Sequence, residues 1–184
     1  MDIRRVLRLL LSLAAVMGLY SGYLVATENF HAVIPGKLYR SAQPSANDIA
    51  LWHDRHGIKT IINLRGANPK QRWYQDERAA AEASGITLID YEMSPKRDVS
   101  AIEVEELLGL LATAETPILI HCRNGADRSG LVSALYVASM GGSEFYSELQ
   151  MSPIYGHLPL WFLSAFAMDR SFERVEARLG FPNS

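Results

Sequence analysis

The sequence predicts an α/β fold, in which a central and mostly parallel sheet is flanked by helices and preceded by one transmembrane helix. Three observations support this prediction. Short apolar runs rich in Ile and Leu alternate with segments of helical periodicity, which is typical of parallel sheets covered on both faces. A chain of 184 residues suffices for one such domain and is short for two. An uncharged apolar run over residues 9–26 precedes all of these elements.

The N-terminal run has the length and flanking charges of a membrane anchor. Its eighteen residues cross most of a hydrocarbon core, with three arginines before them and Glu28 behind. Positive charge at its N-terminal side predicts that this end stays in the cytoplasm. We therefore expect residues 1–28 to form a single-pass anchor in the cytoplasmic membrane, and residues 29–184 to form a domain on the periplasmic or extracytoplasmic side. A cleaved signal segment is the alternative, although the candidate cleavage site contains the bulky Leu24.

In the first half of the domain, the sequence predicts a turn, two helices and a buried strand. Pro35 and Gly36 predict the turn, between two short extended pieces. Capping residues and glycine stops bound the elements that follow. These are a helix from Ser45 to His56 that ends at Gly57, a buried strand over residues 58–64, and a helix over residues 72–84 that ends at Gly85.

The second half continues the alternation and ends in helices. Apolar and β-branched residues predict strands over residues 86–93 and 118–121, and a capping box at Ser100 starts the helix between them. Further helical stretches are expected over residues 129–140, near 143–151 and near 158–179. Trp161 and Phe162, inside the last of these stretches, are expected to pack in the core.

Residues 121–130, HCRNGADRSG, connect the strand at 118–121 to the next helix and contain the chain's one cysteine. Ligand sites in parallel sheets form beyond the carboxyl ends of the strands, where this segment lies. The start of a helix presents unpaired N–H groups and a positive dipole end, which stabilise a thiolate at Cys122 and bind a tetrahedral oxyanion. Gly125 supplies the backbone freedom of a tight loop, and Arg128 presents a planar fork to two phosphate oxygens.

These parts comprise a nucleophile, an anion cradle and a clamp for the transition state. The reaction they suit is hydrolysis of a phosphate monoester in two displacements through a cysteinyl-phosphate. Cys122 is the expected nucleophile and Arg128 the expected clamp. No metal or other cofactor is expected, because the loop and Arg128 supply the positive charge. The expected substrate-binding residues are Arg123, Asn124, Gly125, Ala126, Asp127 and Ser129.

The same ten residues resemble the HC-x5-R-[ST]-G signature of the cysteine-dependent protein tyrosine and dual-specificity phosphatases. The Cys, Gly, Arg, Ser and Gly of the signature all stand at their expected spacings. The preceding segments NFHAVIPGKLYRSAQP and HGIKTIINLRG are similar to those of small bacterial members, some of which have a membrane segment. The resemblance spans about residues 30–170. It implies that residues 29–184 form a phosphatase-like catalytic domain.

Expulsion of the leaving oxygen requires a proton donor, and three aspartates are candidates. The resemblance implies an aspartate on the loop that follows the preceding strand. Asp98 lies on that loop, so we expect it to be the general acid. Asp127, inside the anion-binding loop, is the alternative, while Asp90 is held within the strand over residues 86–93.

Two residues outside these positions are secondary candidates. Arg40 is expected either to line the cleft or to form a structural ion pair. His121 is expected to shape the loop through hydrogen bonds and not to act as a base.

The sequence leaves the substrate, the enzyme class and the partners open to more than one interpretation. Phosphotyrosine, phosphoserine, phosphothreonine and phospholipid headgroups present the same group to the loop, so the substrate is a phosphorylated protein or another phosphomonoester. A sulfur-transfer or arsenate enzyme, and a phospho-binding module without an effective acid, are alternatives to a phosphatase. The net charge of −2 disfavours a nucleic-acid partner, and the single cysteine excludes an intramolecular disulfide. No feature of the sequence indicates an oligomeric state.

Overall fold

The computed structural model describes residues 2–182, and within them it contains seven α-helices and one five-stranded sheet. The strands are β1 (His31–Ile34), β2 (Leu38–Ser41), β3 (Thr60–Asn63), β4 (Thr87–Asp90) and β5 (Ile118–His121). The helices are α1 (Ile3–Ala26), α2 (Ala46–His56), α3 (Arg72–Ala83), α4 (Ala101–Thr113), α5 (Asp127–Ser139), α6 (Glu144–Glu148) and α7 (Ala167–Glu173). Short 3-10 turns follow α6 and flank α7.

The sheet has the strand order β1-β2-β5-β3-β4. The β1–β2 pair is antiparallel, and the other three pairs are parallel. Alternate residues of β5 enter two apolar clusters on opposite faces of the sheet: Ile118 and Ile120 pack with α4, α5 and α7, whereas Leu119 packs with α2 and α3. The predicted α/β fold with a mostly parallel sheet is confirmed, and the central strand β5 leads into residues 121–130.

Local capping signals place the helix starts where the sequence predicts them. The Ser45 hydroxyl accepts a hydrogen bond from the Asp48 N–H, and the Asp48 carboxylate accepts one from the Ser45 N–H. The same reciprocal pair joins Ser100 and Glu103 at the start of α4. Gly57, with φ +68°, ends α2 in the left-handed conformation.

The strands themselves are shorter than the apolar runs that predict them. The run over residues 58–64 contains β3 at Thr60–Asn63, and the run over residues 86–93 contains β4 at Thr87–Asp90. Residues at the ends of both runs are also buried, although they lie outside the ladder. Burial therefore extends past the paired backbone, which is why hydrophobicity alone overestimates the strand length.

The predicted helical stretch over residues 158–179 is wrong in its first part. Residues 157–163 are not helical, and α7 begins only after a further 3-10 turn. Pro159 lacks a backbone donor and disfavours helical geometry in the residue before it. The expectation that Trp161 and Phe162 pack in the core is also wrong, because 80% and 64% of their surfaces are exposed.

Helix α1 has the length and composition of a membrane-crossing helix or a signal sequence. Its side chains are exposed or partly exposed along its length, apart from Leu24, which is buried. Its last two turns lie against the domain, where the Tyr20 hydroxyl donates a hydrogen bond to the carbonyl of Ile154. The chain then turns through Asn29 into β1.

Candidate active site

The Cys122 loop, residues 122–126, joins β5 to α5 at the carboxyl edge of the sheet. Cys122 is 3% exposed and lies directly after the central strand. Ala126, the residue that precedes α5, has no side chain that could cap the helix. The first N–H groups of α5 therefore lack a side-chain acceptor, and the positive end of the helix dipole faces the loop.

Gly125 is the residue that lets this loop fold tightly. Its φ is +68°, and a Cβ at this position would lie 2.6 Å from the backbone nitrogen of Ala42 and 2.6 Å from the carbonyl carbon of Ser41. The loop thus packs directly on the backbone that follows β2. Both the left-handed conformation and the close approach require glycine.

We expect Gly125→Ala to destabilise the fold more than Gly57→Ala does. Both glycines have φ +68°, but a Cβ at Gly57 meets nothing within 4 Å. The Gly57 variant therefore measures the left-handed backbone alone, about 1–2 kcal/mol. The Gly125 variant adds the backbone clash, roughly 1–3 kcal/mol more. Urea unfolding of the two variants measures the difference, and equal losses would contradict the packing of the loop on β2.

Arg40 supports the Cys122 loop through hydrogen bonds to its backbone carbonyls. It is completely buried, and its guanidinium donates to the carbonyls of Gly125 (2.8 Å), Ala126 (2.9 Å) and Gln150 (2.7 Å). Burial lowers the pKa of Arg40 to about 10, which leaves it charged at neutral pH. The N–H of a peptide points opposite to its carbonyl, so the N–H groups of Ala126 and Asp127 point away from Arg40.

Arg40 is therefore too buried to line the cleft and forms no ion pair with any of residues 2–182, and these were the two roles expected of it. It fixes the orientation of the loop peptides through hydrogen bonds to carbonyls. Its distance of 85 residues from Gly125 along the chain explains why local sequence patterns missed this role.

Arg128 is positioned by the ends of two strands. Its Nη1 donates to the carbonyls of Leu64 (2.9 Å) and Met93 (3.2 Å), which follow β3 and β4. Its Nε is buried and has no hydrogen-bond partner among residues 2–182. The hydroxyl of Ser129 is likewise buried without a partner in the described chain. Two donors at the start of α5 are thus unsatisfied, as a site for an oxyanion requires.

His121 and Glu77 form a buried contact behind the loop. His121 Nε2 lies 2.6 Å from Glu77 Oε1, and both side chains are fully buried. Gln43 Nε2 donates to the other Glu77 oxygen (3.0 Å), and Arg65 donates to Gln43 (2.7 Å). The Arg65 guanidinium lies 3.4 Å from the ring centre of Trp73. His121 is therefore part of a network that supports the loop. This engagement argues against a role for His121 as a base.

Asp98, the expected general acid, is held by two arginines of the C-terminal segment. One carboxylate oxygen lies 2.6 Å from Arg170 Nη2, and the other lies 2.6 Å from Arg174 Nη2. The hydrogen bond from Arg170 and the charges of both arginines lower the pKa of Asp98 below its usual value. Asp98 is therefore an anion in this conformation.

Asp127 is bound by a buried histidine. Its carboxylate lies 2.7 Å from Nδ1 of His157, and Nε2 of the same ring lies 2.9 Å from Asp169. Burial by itself lowers the pKa of His157, but the hydrogen bonds to Asp127 and Asp169 outweigh it and raise the pKa to about 9. A charged imidazolium therefore links the start of α5 to α7 at neutral pH.

Asp90 is engaged as an acceptor at the end of β4. It accepts hydrogen bonds from the side-chain amide of Asn63 (2.7 Å) and from the hydroxyl of Tyr74. The hydrogen bond to Asp90 raises the pKa of Tyr74 to about 12. This pairing matches the fixed position that the sequence predicts for Asp90.

The end of α1 borders the Cys122 loop through Asn29. This buried side chain donates to the carbonyls of Asn124 and Tyr155, both at 2.9 Å. Beside it lies a cavity of about 350 Å³. Its lining includes Ser21, Leu24 and Val25 of α1 together with Arg123, Asn124 and Asp127. The sequence had no signal for this junction, since it depends on how α1 packs.

Comparisons with known proteins agree with this geometry. The model of the family described as "DSP-PTPase phosphatase fused to NAD+ Kinase" matches residues 28–156. The chain is 32% identical over 115 residues to the dual specificity protein phosphatase TpbA of Pseudomonas aeruginosa, an alignment that covers 61% of this chain and 48% of TpbA. It is 30% identical over 111 residues to the inositol diphosphatase SIW14 of Saccharomyces cerevisiae, covering 58% of this chain and 38% of that protein. The chain thus spans about half or less of these relatives.

Solved structures show the same fold. The crystal structure of TpbA from P. aeruginosa has a TM-score of 0.65 and 27% sequence identity, covering 86% of this chain and 93% of that one. A Cys→Ser variant of TpbA in complex with pTyr gives the same TM-score at 26% identity. The catalytic core of SIW14, at 23% identity and TM-score 0.62, supports the fold. Because the family model covers residues 28–156, which include the whole Cys122 loop, the chain belongs to the DSP-PTPase family of cysteine-dependent phosphatases.

Proposed function

We propose that this chain hydrolyses phosphate monoesters through a cysteinyl-phosphate on Cys122. The observation that carries the proposal is the pair of unsatisfied buried donors, Arg128 Nε and Ser129 Oγ, at the start of α5. The uncapped helix start and the N–H groups oriented by Arg40 add further donors for a tetrahedral anion. Membership of the DSP-PTPase family supports the same chemistry.

In the first step, the Cys122 thiolate attacks phosphorus. An S–P bond forms as the ester P–O bond breaks, and the leaving oxygen takes a proton from the general acid. Arg128 and the N–H groups of the loop hold the remaining phosphoryl oxygens, where negative charge is spread in the transition state. Residues 123–126 of the loop and Asp127, the first residue of α5, bind the phosphoryl group through their backbone.

In the second step, a water molecule attacks the phosphorus of the cysteinyl-phosphate. Its proton passes to the carboxylate that acted as the acid, and the S–P bond breaks to release inorganic phosphate and the Cys122 thiolate. The Ser129 hydroxyl donates to the departing sulfur, which stabilises the thiolate as a leaving group. The cycle requires no metal or cofactor to balance.

We assign the acid role to Asp98, with Asp127 as the alternative. Both carboxylates are ion-paired, so either one must leave its partner to deliver a proton. Asp98 is held by arginine side chains that are 41% and 58% exposed, whereas Asp127 is held by the buried His157. Asp98 is therefore freer to move over the loop when substrate binds.

Arg170→Gln is expected to shift the alkaline limb of kcat/KM to higher pH. An acid works only while protonated, and Arg170 keeps the pKa of Asp98 low, so loss of Arg170 raises that pKa and extends activity upward in pH. Asp98→Asn is expected to remove this limb and to lower kcat about 10²- to 10⁴-fold. The measurement is a pH–rate profile with an aryl phosphate.

Arg178→Gln is the matched control for the pH profile. Arg178 lies on the same C-terminal segment, but its ion pair is with the exposed Glu105. Its profile should equal that of the unmodified protein. A profile that is unchanged by Arg170→Gln and Asp98→Asn, but loses its alkaline limb in Asp127→Asn, would transfer the acid role to Asp127.

The proposed substrates are phosphorylated proteins, with phosphotyrosine and phosphoserine or phosphothreonine as the reacting groups. The support comes from relatives: TpbA is described as a dual specificity protein phosphatase, and its Cys→Ser variant has been solved with pTyr. A phospholipid headgroup is the second candidate, because the cavity beside the loop is lined in part by α1. Comparing hydrolysis of phosphopeptides with that of lipid monophosphates in vesicles separates the two.

For the whole chain, we propose an anchor over residues 1–28 and a catalytic domain over residues 29–184. The anchor crosses the cytoplasmic membrane once, with the domain on the extracytoplasmic side. The apolar length of α1 and its N-terminal arginines support this arrangement. Protease digestion of spheroplasts tests it, since only an extracytoplasmic domain is digested without lysis.

A further inference from the structure

An exposed apolar segment lies between the Cys122 loop and α7. Residues 158–162, LPLWF, are all exposed, and Trp161 and Phe162 are the most exposed of them, at 80% and 64%. Ile154, just before the segment, is 49% exposed. No polar side chain interrupts residues 158–162. A run of exposed apolar side chains of this kind is typical of an interaction surface.

Buried residues flank this segment on both sides along the chain. His157 precedes it and is fully buried between Asp127 and Asp169, with contacts of 2.7 and 2.9 Å. Ala167 and Met168 follow it and are also fully buried. The exposed side chains therefore stand on a loop fixed at both ends, and not on a frayed terminus. One of those fixing contacts, Asp127, is the first residue of α5.

The residues just before this segment lie next to α1. The Tyr20 hydroxyl donates to the carbonyl of Ile154, and the Leu24 side chain approaches Gly156 so closely that a Cβ there would lie 3.3 Å from it. Residues 154–156 thus pack against the last turns of α1, and the exposed apolar residues 158–162 follow them along the chain after the buried His157.

The length of α1 leads to the same conclusion. The hydrocarbon core of a bilayer is about 30 Å thick, and a helix rises about 1.5 Å per residue. The uncharged part of α1 that precedes Tyr20, residues 9–19, spans only about 16 Å by this measure. If the count starts at Val6, the span grows by about 5 Å and is still shorter than the hydrocarbon core. If α1 crosses the bilayer as proposed above, the turns of α1 that lie against the domain must enter the membrane as well.

We propose that residues 154–162 form a membrane-docking surface that inserts into the lipid leaflet beside α1. Trp and Phe side chains favour the boundary between headgroups and acyl chains, where Trp161 and Phe162 would lie. The bilayer is the proposed occupant because Ile154 and Gly156, at the start of this surface, contact a helix with the length and composition of a membrane span. The Cys122 loop, linked to it through His157 and Asn29, then sits at the lipid surface. This inference rests on the membrane anchor proposed above and not on phosphatase activity.

Tryptophan quenching in the full chain tests the proposal. The protein is reconstituted in nanodiscs of phosphatidylcholine with acyl chains brominated close to the headgroup. Trp52 is buried and Trp73 is stacked under Arg65, so Trp161 is the tryptophan that these lipids should quench. We expect loss of Trp161 fluorescence in brominated discs relative to unbrominated ones. Trp161→Phe should abolish that loss while it keeps the fold and α1.

A second measurement distinguishes a protein partner from the bilayer. If bromine has no effect on Trp161, and acrylamide quenches it fully in discs with one chain each, the surface faces water and the proposal fails. If Trp161 is shielded only in discs with two chains and is insensitive to bromine, a second copy covers the surface, which also overturns the proposal. Equal bromine quenching in Trp161→Phe would assign the signal elsewhere and overturn it too.

Discussion

Cys122→Ser is expected to lower kcat for an aryl phosphate about 10⁶-fold, as loss of a covalent nucleophile does. A serine hydroxyl is far less acidic than a thiol, so it provides no anion to attack phosphorus at neutral pH. The Arg40-supported backbone of the loop and Arg128 are unchanged by this substitution. Inorganic phosphate should therefore still bind, with an affinity close to that of the unmodified protein.

A second test detects the cysteinyl-phosphate intermediate itself. Cys122 is the chain's one cysteine, so a phosphate ester on sulfur can form at no other residue. Rapid acid quench of the unmodified protein during turnover, followed by mass spectrometry, should show phosphate on Cys122. A Cys122→Ser protein that still hydrolyses the substrate would refute the mechanism. An unmodified protein that binds phosphate without turnover would instead be a phospho-binding module.

Arg128→Lys is expected to lower kcat roughly 10²- to 10³-fold, the cost of removing one transition-state donor. The guanidinium uses Nη1 to bond the carbonyls of Leu64 and Met93 and still has Nε for an oxyanion. A lysine ammonium has the same charge but a single nitrogen, so it cannot bridge these positions in one plane. Steady-state kinetics with an aryl phosphate measure the effect.

Arg72→Lys serves as the control for this substitution. Arg72 is an exposed residue of α3 that pairs with Asp76 on its own helix, so an equivalent exchange there should leave kcat unchanged. A loss below tenfold in Arg128→Lys would mean that charge alone suffices and that the fork geometry is unimportant. A large loss in both variants would indicate an unspecific effect on folding.

Much of the candidate site follows from local spacing. A buried strand, a glycine-containing loop and a helix are each determined by neighbouring residues, and HCRNGADRSG contains their boundaries. The capping boxes at Ser45 and Ser100 are local in the same sense, since each hydrogen bond joins residues three apart. The parallel sheet then follows from the alternation of strands and helices. These features were predictable because each depends on a short stretch of chain.

Contacts between distant segments were not predictable in this way. Arg40 lies 85 residues before the loop whose carbonyls it binds, and Asp98 lies 72 residues before Arg170. Asp98 and Asp127, the first two of the three candidate acids, are ion-paired by residues of the C-terminal third. A sequence shows that such charges exist, but their pairing depends on which segments the fold brings together.

Backbone preferences and residue spacing act over a few residues, so they suffice to predict the strand–loop–helix that contains Cys122 and Arg128. The ion pairs of Asp98 and the exposure of Trp161 and Phe162 depend instead on which distant segments the fold brings together. Hydrophobicity predicted burial for these two side chains, but burial in a core requires a neighbouring face to pack against. Pro159 disrupts the helical pattern, and Trp161 and Phe162 stay exposed because little in the described part of the chain packs over them.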